Sequence, residues 1–93
     1  MMQEIIEVNF SGCKHLGEIH KTLKKQLDFP DCYGENLSAL WDCLRYYSFE
    51  NTKIIIKGIN DLPIELKEYM NNIFEIFDEV HSENPNIEFE TVS

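Results

Sequence analysis

Three short runs of strand-forming residues, separated by stretches whose apolar residues recur at helical spacing, constrain this chain more than any other feature. The first run, Glu4-Ile5-Ile6-Glu7-Val8-Asn9-Phe10, is closed by Ser11-Gly12. The second, Lys53 to Lys57, holds Ile54-Ile55-Ile56 without alternation and ends at Gly58. An unbroken apolar run predicts a strand covered on both faces. The third, Asn86 to Val92, alternates, with Ile87, Phe89 and Thr91 sharing one face.

Between the first two runs, Leu16, Ile19, His20, Leu23 and Leu27 fall on one helical stripe ending near Asp28, with Pro30 beyond it. Lys21, Lys24 and Lys25 lie off the stripe, in last turns where cations complement the helix dipole. Asn36 is a good N-cap for a second helix, in which Leu37, Leu40, Trp41 and Leu44 follow at helical spacing to about Tyr46. A third helix is expected to start at Asp61. Its stripe of Leu66, Tyr69, Met70, Ile73, Phe77 and Val80 reaches His81, and Asn84-Pro85 stops it. Strands joined through helices require right-handed crossovers, so the order β-α-α-β-α-β predicts an α/β fold, a small parallel sheet with helices packed on it.

With 93 residues, 43% of them hydrophobic, the chain suits one domain covering 1–93 and one core. No apolar stretch approaches the roughly 20 residues that span a bilayer. Residues Met1 to Phe10 carry Glu4 and Glu7 and lack the basic and apolar regions of a signal peptide, so a cytoplasmic location is expected. Cys13, Cys32 and Cys43 form no C-x-x-C pair, and reduced thiols are the expectation.

The net charge of −9 is unevenly spread. Residues 28–50 hold five acids against Arg45, and 65–93 hold eight against Lys67, while the other two segments are each slightly basic. Such a field repels phosphate backbones and argues against direct binding of nucleic acid. It favours a basic partner.

Catalysis and cofactors find little support. His15 and His20 are five residues apart, which sets them at different angles on a helix, and with Cys13 they fall short of a closed zinc set. His20 reads as a polar residue on a packed stripe. Each cysteine fits a small buried hydrophobe as well as a nucleophile. Carboxylates are plentiful, but abundance does not mark a general acid and base. The four glycines are isolated and form no phosphate-cradling loop. A small hydrolase using an acid pair or Cys43 is the enzymatic rival to a binding protein.

A binding surface is suggested by the second helix. Trp41 belongs to its apolar stripe, whereas Ser38, Asp42 and Arg45 share another face, which presents Asp42 to solvent. Most such acids simply decorate a solvated face. Here Tyr33, Tyr46 and Tyr47 flank the helix, and aromatic residues around an exposed acid are typical of binding anchors. Glu75, Glu79 and Glu83 repeat the theme at i, i+4 and i+8 on the third helix.

The block His20-Lys21-Thr22-Leu23-Lys24-Lys25-Gln26-Leu27, then Pro30, then Tyr33-Gly34-Glu35-Asn36-Leu37-Ser38-Ala39-Leu40-Trp41-Asp42-Cys43-Leu44, resembles the barstar family, intracellular inhibitors that bacteria make against their own secreted ribonuclease. The remaining elements follow in the same order at nearly the same spacing. The resemblance implies a three-stranded parallel sheet packed with three to four helices. It also implies a stoichiometric inhibitor with no cofactor, monomeric when free, which binds a basic extracellular-type ribonuclease one to one.

On that resemblance the partner surface comprises the Tyr33 loop, the second helix and part of the last. Asp42 matches the acid that enters the nuclease's phosphate site, and Glu79 matches an acid at the rim. Gly34, Asn36 and Leu37 match residues that line the contact, and Trp41 and Tyr46 lie within the same surface. Four positions depart from the pattern: Cys32 replaces an aromatic contact, Ser38 a second acid, and Tyr47 a tryptophan, while Arg45 is newly basic. Arg45, three residues from Asp42, is placed to pair with it and partly cancel its charge. These departures imply a nuclease with a differently arranged basic cleft. The alternative is a binding or immunity module on the same fold for another basic protein.

Overall fold

The computed structural model describes residues 3–31, 33–46 and 51–92; of Tyr46 it describes the backbone position alone. The elements are β1 (Glu4–Asn9), α1 (Leu16–Gln26), α2 (Leu37–Tyr46), β2 (Thr52–Lys57), a 3-10 turn (Ile59–Asp61), α3 (Ile64–Glu83) and β3 (Ile87–Thr91). The strands form one parallel sheet in the order β1-β2-β3. Its register sets Ile6 beside Ile54 and Ile54 beside Phe89. The α/β class and the three parallel strands agree with the sequence.

Two crossovers of the same hand that step in the same direction place their helices on one face of the sheet. The burial pattern follows. Val8, Ile54, Ile56 and Ile87 are buried beneath the helices, with α1 packed on β1 and α3 on β3. The opposite face is open: Ile5 is 58% exposed, and Lys57 pairs with Glu7 at 2.9 Å and Lys53 with Glu90 at 3.6 Å. The expectation of a central strand covered on both faces is therefore corrected. Residues Thr52 to Lys57 alternate between buried and half-buried, and Ile55 lies on the open face, with Glu7 and Glu90 as its register neighbours.

Helix ends follow local chemistry. After α1 the chain turns at Asp28 in the left-handed region, φ 57°, and the Phe29 amide donates to the Lys24 carbonyl at 2.9 Å. That six-to-one bond closes the helix, with aspartate where glycine usually sits. Leu16, which opens the predicted stripe, stays exposed, whereas Ile19, His20, Leu23 and Leu27 are buried.

The third helix starts later than Asp61. A residue before proline is held extended, Leu62 has ψ 145°, and the helix resumes only after Pro63. Asp61 instead ends the 3-10 turn and accepts a hydrogen bond from the Ser11 hydroxyl at 3.1 Å. Gly58 has φ 80°, and a Cβ there would collide with the Ser11 backbone and Asn9 Oδ1. Leu66, Met70, Ile73, Phe77 and Val80 of α3 complete the core, and the Phe77 ring stacks on Phe89 with centroids 4.2 Å apart. Among the described residues no helix is long and apolar enough to cross a membrane.

Candidate functional site

The site begins with the loop before α2. The Tyr33 amide donates to the Pro30 carbonyl at 3.0 Å, and its ring tilts against Phe29 with centroids 5.0 Å apart. The Tyr33 hydroxyl lies 2.7 Å from His20 Nδ1, and His20 Nε2 lies 2.7 Å from the Tyr69 hydroxyl. One imidazole thus ties the loop to α1 and α3. Burial favours its neutral form and lowers the His20 pKa, against a smaller upward pull from Glu35. Burial also raises both tyrosine hydroxyls, and for Tyr33 negative charge on Cys43, Tyr69 and Glu35 adds to the rise.

Buried in this way, Tyr33 holds the loop in place and offers little surface to a partner. Cys32 and Tyr47 lie outside the described residues. Gly34 is exposed, and a Cβ there would crowd Asn36 Nδ2 and the Ala39 side chain. Asn36 caps α2 as its sequence predicts. Its Oδ1 accepts from the Ala39 amide at 2.8 Å, and its Nδ2 donates to the Gly34 carbonyl at 3.2 Å. The cap therefore fixes both the start of the helix and the loop that leads to it.

From this anchored start, α2 runs against α3. Leu37, Ser38, Trp41 and Asp42 of α2, with Ile76 and Glu79 of α3, line an open groove between the two helices. Of the expected site residues, Leu37, Ser38, Trp41, Asp42 and Glu79 meet here, whereas Tyr33, Gly34, Asn36 and Arg45 are not among the lining. Asp42 and Glu79 are exposed, and among the described residues neither forms an ion pair. Leu37, Trp41 and Ile76 are half-buried and give the groove an apolar wall. Tyr46 ends the helix.

Arg45 departs from expectation. Its Nε lies 3.1 Å from Glu83 Oε2 on α3, and its guanidinium carbon lies 5.0 Å from the centroid of the Trp41 ring. The expected pair with Asp42 on the same helix is not the one formed. Glu83 takes the guanidinium across the helix interface, and the Trp41 indole beneath the guanidinium favours that placement. Asp42 is left without Arg45 as an ion-pair partner.

Two groove features were missed in the sequence. Ile76 precedes Glu79 by one helical turn, so a face that displays one displays the other. That signal was present. Glu83 stood in the acidic stripe, but nothing local marked it as the partner of Arg45.

Fold and groove together define a small acidic α/β protein with a cleft built by two helices. The chain belongs to the family described as Barstar (barnase inhibitor), whose model matches residues 3–92. A protein of Bacillus subtilis (strain 168) named "Putative ribonuclease inhibitor YrdF" is 37% identical over 82 residues, which cover 88% of this chain and 89% of that protein.

Proposed function

We propose that this chain is a stoichiometric inhibitor of a basic, extracellular-type ribonuclease, which it binds one to one and blocks at the active site. The observation that carries the reading is the pair Asp42 and Glu79: two carboxylates on different helices face one groove without an ion-pair partner among the described residues. A surface that holds unneutralised acids beside an apolar wall suits a cationic protein side chain, which gains a charge-assisted bond and sheds water from the wall. Membership of the barstar family and the printed name of the Bacillus relative support the same partner class.

The mechanism is occlusion with mimicry. Carboxylates of α2 and α3 occupy positions where the nuclease's arginine and lysine side chains would hold RNA phosphates, and the loop from Tyr33 to Asn36 covers the cleft beside them. Asp42 is the central anchor and Glu79 supports it from the rim. The net charge of −9 accelerates encounter with a basic enzyme and is screened by salt. The chain itself turns over nothing and needs no cofactor.

The test is titration of purified secreted basic ribonucleases with the chain, following RNA cleavage. Inhibition saturating at one equivalent is expected, and Asp42→Ala should weaken it about 30-fold or more, as for other central interface anchors. Unchanged inhibition by that variant removes Asp42 as the anchor. Binding to a basic protein that is not a nuclease moves the reading to an immunity module.

A further inference from the structure

One cation stands beside the groove, against its Trp41 wall. The basic side chains of α2 and α3 are Arg45 and Lys67, apart from His81, and Lys67 stands three turns from Glu79. Arg45 is one turn from Asp42. A cation at the edge of an acidic cleft weakens its pull on a basic partner unless that partner offers something in return.

Arg45 is also held in place. Trp41, a wall of the groove, lies under the guanidinium carbon at 5.0 Å, within the range of a cation–π contact. Glu83 holds Nε at 3.1 Å, with both side chains about half exposed. An exposed pair of this kind adds little stability. What it does is restrict a long side chain before any partner arrives, so that less rotamer entropy is lost on binding. The ion pair runs through Nε, while the fork that grips a carboxylate with two parallel bonds also needs an Nη group.

We infer that Arg45 is a specificity residue of the groove: it receives a carboxylate from the rim of the partner and turns away partners whose basic cleft extends over that position. The inference rests on the groove being the ribonuclease-binding site. It narrows the partner to a basic protein with an aspartate or glutamate beside its cationic centre. Asp42 and Arg45 are set about 5 Å apart along the helix by their spacing, so the partner's opposite charges must be similarly close. A lysine or arginine facing Arg45 would meet a like charge as water leaves the interface, at a cost large enough to reject that protein.

The experiment measures inhibition constants of the wild type, Asp42→Ala, Arg45→Gln and Arg45→Glu against a panel of purified secreted basic ribonucleases. Each inhibited nuclease is then remade with single Asp or Glu to Lys changes around its cleft. Arg45→Glu is expected to weaken inhibition about 30-fold or more, and Arg45→Gln by less, with both variants melting at the wild-type temperature. One lysine variant of the nuclease should escape the wild type and be inhibited again by Arg45→Glu. That rescue reads a direct charge contact, which a merely structural role would not produce. If Arg45→Glu inhibits as well as the wild type, or no lysine variant is rescued, while Asp42→Ala loses inhibition, the role given to Arg45 is wrong and the groove reading stands. If the wild type inhibits no nuclease, or Asp42→Ala inhibits undiminished, both fall together.

Discussion

His20 Nδ1 and the Tyr33 hydroxyl stand 2.7 Å apart, with neither residue more than 5% exposed. The second ring nitrogen of His20 meets Tyr69 at the same distance. A neutral imidazole donates from one nitrogen and accepts at the other, so it serves both hydroxyls at once. An imidazolium only donates, at the added cost of a buried charge.

The fold therefore resists protonating His20, whose pKa burial lowers from 6.5. Above pH 6.5 both the folded and the unfolded chain carry a neutral ring, and the full contribution to stability is present. Below it the unfolded chain takes a proton that the fold refuses, so stability falls by at most about 1.4 kcal/mol per pH unit until the folded pKa is passed. Urea unfolding at pH 7.5, 6.5 and 5.5 should show this decline, and His20→Gln should flatten it. Equal slopes in the two proteins would remove His20 as the cause. On the alkaline side the raised Tyr33 and Tyr69 act in the opposite sense: stability should decline as pH climbs past 10.0, where the unfolded tyrosines ionise first.

Asn36 joins helix and loop through one side chain. Asn36→Ala should cost about 1 kcal/mol in stability, the usual value of an N-cap. Asn36→Asp restores the acceptor but not the donor to Gly34. If the loop matters to the nuclease, the aspartate variant should recover stability while inhibition stays weakened. Full recovery of both would show that the bond to Gly34 is dispensable.

Asp28 closes α1 at φ 57°, where a side chain is strained and glycine is not. Asp28→Gly is expected to stabilise the fold by roughly 0.5 kcal/mol, the relief of strain outweighing the added freedom of the unfolded chain. The midpoint of denaturant unfolding reads it directly. A lower midpoint would mean that the carboxylate contributes more than its backbone conformation costs.

Where a signal is local, the sequence carried it. Asn36 followed by Leu37, Leu40 and Leu44 placed both the cap and the buried face of α2, and the alternation from Ile87 onward placed β3. Ile54-Ile55-Ile56 misled because the number of covered sheet faces depends on the order of strands and crossovers, which no run of residues encodes by itself. Asp61 looked like a cap until the restriction imposed by Pro63 on Leu62 is weighed against it. In the site, Asp42 and Glu79 could be named from the family resemblance, but the choice of Glu83 over Asp42 by Arg45 is a tertiary matter. So is the burial of Tyr33, which follows from a bond to a histidine thirteen residues earlier.

The two walls of the groove come from different crossovers. Trp41 and Asp42 belong to the connection between β1 and β2, and Ile76 and Glu79 to the connection between β2 and β3. During synthesis the first wall therefore leaves the ribosome more than thirty residues before the second. A nascent chain that has released α2 but still holds α3 in the exit tunnel has no cleft to offer. On the proposed function, a product cut short before α3 carries only one wall of the groove and should not inhibit.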